Sequence, residues 1–142
     1  MVSSIKLKYE VNSKNFLEAG NVSQDIKNKL IELKINPEVV RKTALAIYEG
    51  ELNMIIHTFG GTIEVEITEH SIIVELNDTG PGISDVSLAM QQGFSTISNN
   101  NELKAQGRGE GIGFTNMMKF SDTFDIKSKV GKGTTIKMSI NR

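Results

Sequence analysis

Glu49 and Asn53 stand four residues apart in a stretch whose apolar residues recur at helical spacing, so both project from one helix face. A carboxylate and an amide pointing the same way can hold a divalent cation with its hydration shell, or orient a water or a hydroxyl. Without a ligand the same pair is a solvated polar stripe. Gly50 beside them costs a helix about 1 kcal/mol against alanine, which points to a close approach of another element there. Asp78-Thr-Gly80-Pro-Gly82 follows an apolar strand. An aspartate at a strand end can accept a hydrogen bond from an exocyclic amine, and the glycines let the backbone lie close to a flat ligand. The same letters also spell a Pro-Gly turn with an Asx motif. Gly107-Arg-Gly109-Glu-Gly111-Ile-Gly113 then leads into a helix. Successive N–H groups at a helix N-terminus make a phosphate cradle, with a flexible hinge as the alternative. No Gly-Lys-Ser/Thr follows and no strand precedes, so this is neither a P-loop nor a Rossmann fingerprint. Gly131-Lys-Gly133-Thr134, taken alone, is a hairpin turn.

These residues need elements to position them. Ile5–Val11 alternates with period two, as a half-buried strand does. Phe16, Leu17, Val22, Ile26, Leu30 and Leu33 recur at helical spacing and predict one long helix over residues 14–34. Its apolar face is expected to pack into the core, with a homodimer interface as the alternative use. Asn36-Pro37 supplies an N-cap and a first helical residue for a second helix that carries Glu49 and Asn53 and stops at Gly60-Gly61. Strands follow at Thr62–Thr68 and Ile72–Asn77. A short helix is expected over Ser84–Gln92, and a polar loop, long for a compact domain, over Gly93–Gly109. A helix from Glu110 to Phe120 and strands at Phe124–Lys129 and Thr134–Ile140 complete the chain. This order predicts an α/β two-layer sandwich, a mixed sheet with helices on one face, in a single domain over 1–142. Met54, Met90, Met117, Met118 and Met138 are expected to fill the core.

Composition narrows the function. The chain has 142 residues, of which 38% are hydrophobic and 23% charged, enough for an ordinary core. Sixteen basic residues face seventeen acidic ones, and neither half of the chain is biased. Nothing in that balance suggests nucleic acid. Cysteine is absent, which excludes disulfides, zinc-thiolate sites, iron–sulfur ligation and thiol catalysis. With no membrane-length apolar run and no signal-peptide pattern at the start, a cytoplasmic protein is expected.

In this order, Glu49-x-x-x-Asn53, Asp78-x-Gly80-x-Gly82, Gly107-x-Gly109-x-Gly111 and Gly133-Thr134 resemble the N box, the two glycine boxes and the terminal box of the GHKL ATPase superfamily. That superfamily includes gyrase, the ninety-kilodalton heat-shock chaperone and the histidine kinases. The resemblance spans about residues 37–140 and implies the Bergerat ATP-binding fold. It implies that Asn53 ligates the Mg²⁺ of an ATP complex and that Glu49 is the general base. It also implies that Asp78 binds the adenine amine, with Thr134 assisting through a water. Gly80 and Gly82 would admit the purine, and Gly107, Gly109 and Gly111 would wrap the phosphates under the 93–107 loop. Arg108 stands where it could meet the γ-phosphate or a partner, and Lys104 and Arg108 read equally well as solvated loop residues. His57 is expected to be structural.

The small size and the run from Asp78 through Met90-x-x-Gly-Phe-Ser-Thr96 resemble the bacterial anti-sigma-factor serine/threonine kinases, the switch kinases of stress signalling nearest among them. The resemblance implies transfer of the γ-phosphate of ATP to a seryl hydroxyl of a small regulatory, antagonist-like protein, with a sigma factor or a phosphatase as further partners. The alternative is a binding module in which ATP or ADP gates capture of a regulator without phosphotransfer. No phosphoacceptor helix pair is present, which argues against a histidine autokinase.

Overall fold

The computed structural model describes residues 4–80 and 109–142. In chain order it contains β1 (Ile5–Val11), a 3₁₀ turn (Phe16–Glu18), α1 (Asn21–Glu32), α2 (Pro37–His57), β2 (Gly61–Ile67), β3 (Ser71–Asp78), α3 (Gly109–Lys119), β4 (Thr123–Lys129) and β5 (Gly133–Asn141). The helix expected over 84–92 and the loop over 93–108 lie outside the described residues.

The strands form one sheet in the order β1-β2-β3-β5-β4. Ile63, Val65 and Ile67 of β2, Ile72, Val74 and Leu76 of β3, and Ile136, Met138 and Ile140 of β5 are buried on one face. Against them pack Ile26 and Leu30 of α1, Ile47, Met54 and Ile55 of α2, and Phe114 and Met117 of α3. The opposite face carries charge: Lys8, Glu64, Glu75, Lys137 and Asp125 fall in one cross-strand row. The expected α/β sandwich with helices on one face is therefore present.

Its sheet is antiparallel at every described pairing rather than mixed. The crossover through α3 does return β4 parallel to β3, as such a connection should. β5 then folds back between them, so the parallel strands never touch.

The single helix expected over 14–34 is broken. Lys14 and Gly20 adopt left-handed φ values of 64° and 95°, and α1 starts only at Asn21. Phe16 and Leu17 are left exposed, Leu17 at 97%. The second helix matches its expected start: Asn36 Oδ1 accepts from the Glu38 N–H over 2.8 Å, and Pro37 is the first helical residue. Its C-terminus is closed by Thr58, whose hydroxyl donates to the Met54 carbonyl over 2.7 Å and accepts from the Gly60 N–H over 3.0 Å. Met54, Met117 and Met138 fill the core as expected, whereas Met118 is 38% exposed. One residue past buried Met117, the helical turn of about 100° carries it off the core face. Met90 lies outside the described residues.

Candidate functional site

Glu49 and Asn53 lie one turn apart on α2, both half-buried. Gly50 marks the close approach its presence implied. A Cβ there would stand 2.3 Å from Leu76 Cδ2 of β3 and 3.3 Å from Met117 Sδ of α3. The α2 backbone is thereby pressed against both neighbours, and a side chain at residue 50 would push them away. Beside this contact, Asn116 Nδ2 of α3 donates to Glu49 Oε1 over 3.3 Å. One turn on, Asn53 Oδ1 is buried and has no hydrogen-bond partner among the described residues. An orphaned buried carbonyl oxygen is costly, by about 1–3 kcal/mol, and is the kind of hard ligand a magnesium ion takes. Asn53 Oδ1 is thus of the chemical kind that the implied cation takes, as one oxygen among the several such an ion needs.

Asp78 ends β3, beside the start of the neighbouring antiparallel strand β5. The Thr134 N–H donates to Asp78 Oδ1 over 3.1 Å, while the Thr134 hydroxyl pairs with that of Ser128 over 2.7 Å. Burial pushes the Asp78 carboxyl above its ordinary range, and the Thr134 N–H pulls the other way. Gly133 permits this junction: at φ 125°, its Cβ would fall 2.1 Å from the Asp78 carbonyl oxygen. Beyond Asp78, the Thr79 N–H donates to the Gly60 carbonyl over 2.9 Å, and the Phe59 N–H to the Thr79 carbonyl over 2.8 Å. These bonds clamp the chain after Asp78 to the segment just past α2. A Cβ on Gly80 would lie 3.2 Å from both Asp78 Oδ1 and Thr58 Cβ, so the backbone at Gly80 runs tight over the carboxylate.

Gly109 and Gly111 fall in the first turn of α3, where helix N–H groups lack intrahelical acceptors. Gly82, Lys104, Gly107 and Arg108 lie outside the described residues, as does the His57 side chain. The structure thus gathers Glu49 and Asn53 on α2, brings Asp78 to Thr134, and sets α3 against α2 through Gly50 and Met117.

Two residues were not legible as participants. Asn116 meets Glu49 from another helix, 67 residues away in sequence, and no local spacing marks that. Glu51 lies between Glu49 and Asn53 in sequence, yet it is only 2% exposed and its carboxylate accepts the Val22 and Ser23 N–H groups over 3.1 and 3.3 Å. It caps α1, whose own N-cap residue, Gly20, has no side chain to do so. Burial pushes the Glu51 carboxyl up, against the pull of those N–H groups.

The fold and these boxes define a class. The family model of histidine kinase-, DNA gyrase B- and HSP90-like ATPases matches residues 40–142, and the chain belongs to that family. Among similar proteins is the anti-sigma F factor of Caldanaerobacter subterraneus subsp. tengcongensis, 34% identical over 107 residues, which cover 72% of this chain and 70% of that protein. The anti-sigma F factor of Thermoanaerobacter pseudethanolicus is 33% identical with the same coverage. That of Clostridium acetobutylicum is 30% identical over 75% of this chain and 73% of its own length.

Proposed function

We propose that this chain is an ATP-dependent protein serine/threonine kinase acting on a small regulatory protein. The observation that carries the reading is the Glu49–Asn53 pair: a tethered carboxylate one turn from an orphaned amide oxygen. In the proposed reaction a seryl or threonyl oxygen attacks the γ-phosphorus while Glu49 accepts its proton. The O–P bond forms, the bridge to the β-phosphate breaks, and ADP leaves. Asn53 Oδ1 would hold the Mg²⁺, which when bound neutralises charge on the triphosphate oxygens. The half-buried Asp78 carboxylate, fixed by Thr134, would accept from the adenine amine. The first turn of α3, at Gly109 and Gly111, would donate to phosphate oxygens. Gly80 would let the purine lie close to the backbone. Positioning and charge are most of what phosphoryl transfer requires, so a small domain suffices.

The name these similar proteins share, anti-sigma F factor, points to a sigma factor as a partner, and a second reading is nucleotide-gated capture of a sigma factor or other regulator in the cytoplasm without phosphotransfer. Incubating the protein with [γ-³²P]ATP, Mg²⁺ and each protein encoded beside it separates the two. Label on a seryl residue of one of them supports the kinase. Nucleotide-dependent complexes without label support capture alone.

A further inference from the structure

We propose that Asn116 is a positioning residue for the Glu49 carboxylate, an inference that rests on the reading of Glu49 as the base. The contact is a hydrogen bond from Asn116 Nδ2 on α3 to Glu49 Oε1 on α2, over 3.3 Å. A glutamate on a helix turns about three side-chain bonds, so a carboxylate meant to take a proton needs something to stop it wandering. One amide donor on Oε1 supplies that and leaves Oε2 for an incoming hydroxyl. An amide suits the task because it donates without bringing a positive charge that would pair with the carboxylate.

The surroundings make the contact a fixed one. Glu49 and Gly50 on α2 face Asn116 and Met117 on α3 as two consecutive pairs. The second pair is the tight one, with room for no Cβ at residue 50 beneath Leu76 and Met117. Whatever sets the seating of Met117 against Gly50 also sets the distance from Asn116 to Glu49. The helix carrying Asn116 begins at Gly109, seven residues and about 10 Å earlier at 1.5 Å per residue. The element whose first turn would meet phosphate thus also holds the base in place.

A plain staple between two helices would have the same bond but different consequences. The test uses the full chain and Mg-[γ-³²P]ATP with no protein substrate, so that water takes the place of the hydroxyl. Asn116→Ala removes the donor; Asn116→Asp keeps the size and shape but turns an acceptor toward Glu49. Both should lower kcat about ten- to hundred-fold, the second more, as loss of a hydrogen bond to a charged group implies. KM for ATP, the Kd of a non-hydrolysable analogue and the melting temperature should stay near wild type. Adding Asn116→Ala to Glu49→Gln should slow turnover no further, because nothing is left to position. Wild-type kcat in Asn116→Asp, or an equal loss in the Glu49→Gln background, would overturn the proposal. A fall in melting temperature and analogue affinity together with kcat would do so too, by making Asn116 a staple. Wild-type turnover in Glu49→Gln itself would instead remove the reading of the base beneath it.

Discussion

The Thr134 N–H donates to the Asp78 carboxylate over 3.1 Å and ties the end of β3 to the start of β5, 56 residues apart. The bond holds one oxygen of a half-buried carboxylate and so fixes the direction of the other. Asp78 should then favour a purine that offers an exocyclic amine over one that presents a second acceptor. An unpaired buried polar contact costs about 1–3 kcal/mol, so ATP should bind at least tenfold more tightly than GTP. Equal affinities in a calorimetric titration would remove Asp78 from purine recognition.

The same carboxylate should cost the empty protein stability. Burial raises the Asp78 carboxyl above its ordinary 3.8, so the folded chain holds that proton more tightly than the unfolded one. Its contribution is therefore fullest below pH 3.8 and is lost as the pH rises through the raised value. Asp78→Asn keeps an acceptor for the Thr134 N–H and should melt above wild type at pH 7, with the gap closing toward pH 4. Its affinity for ATP should fall at least tenfold, since an amide turned this way offers the adenine amine a donor. Thermal melts at the two pH values and an ATP titration check both halves. A variant that melts lower than wild type at pH 7 would contradict the sign.

Asn53→Ala removes a buried oxygen that has no hydrogen-bond partner among the described residues. The apo protein should melt no lower than wild type. The stabilisation that Mg-ATP gives should shrink toward that given by ATP with chelator, by mass action. Undiminished Mg-dependent stabilisation in a thermal-shift series would assign the metal to another ligand.

Gly50→Ala adds helix propensity worth about 1 kcal/mol and loses more. The new methyl would meet Leu76 Cδ2 at 2.3 Å, and overpacking of that kind costs about 1–3 kcal/mol. Glu51→Ala should be worse. It strips two α1 N–H groups of their acceptor in a buried place, at about 1–3 kcal/mol for each group left unpaired. Urea titrations monitored by circular dichroism measure both losses, and stability gained by either variant would contradict the packing described.

Much of this was legible from the chain, for definite physical reasons. Asn36-Pro37 marks the start of α2 because capping is local, and Gly50 announces a close approach because an interior helix glycine needs a cause. Alternation along Ile63, Val65 and Ile67 gives β2 its buried face. The break at Gly20 was missed because the apolar residues on either side keep the helical period while the glycine does not. Periodicity also cannot say which strand slots between β3 and β4, so the sheet's direction was misjudged. At the site, Glu49, Asn53 and Asp78 stand out by spacing and setting. Asn116 and Glu51 act across helices, on partners that only the packing brings near.

Phosphotransfer through Glu49 can be read as label on an acceptor protein. Wild type and Glu49→Gln are each incubated with Mg-[γ-³²P]ATP and the proteins encoded beside this one, with ATP binding followed in parallel. Wild type should label a seryl or threonyl residue of one of those proteins. Glu49→Gln should bind ATP normally and transfer at least a hundredfold more slowly, within the range that general-base catalysis supplies. Label transferred equally well by both forms would mean that Glu49 is not the base.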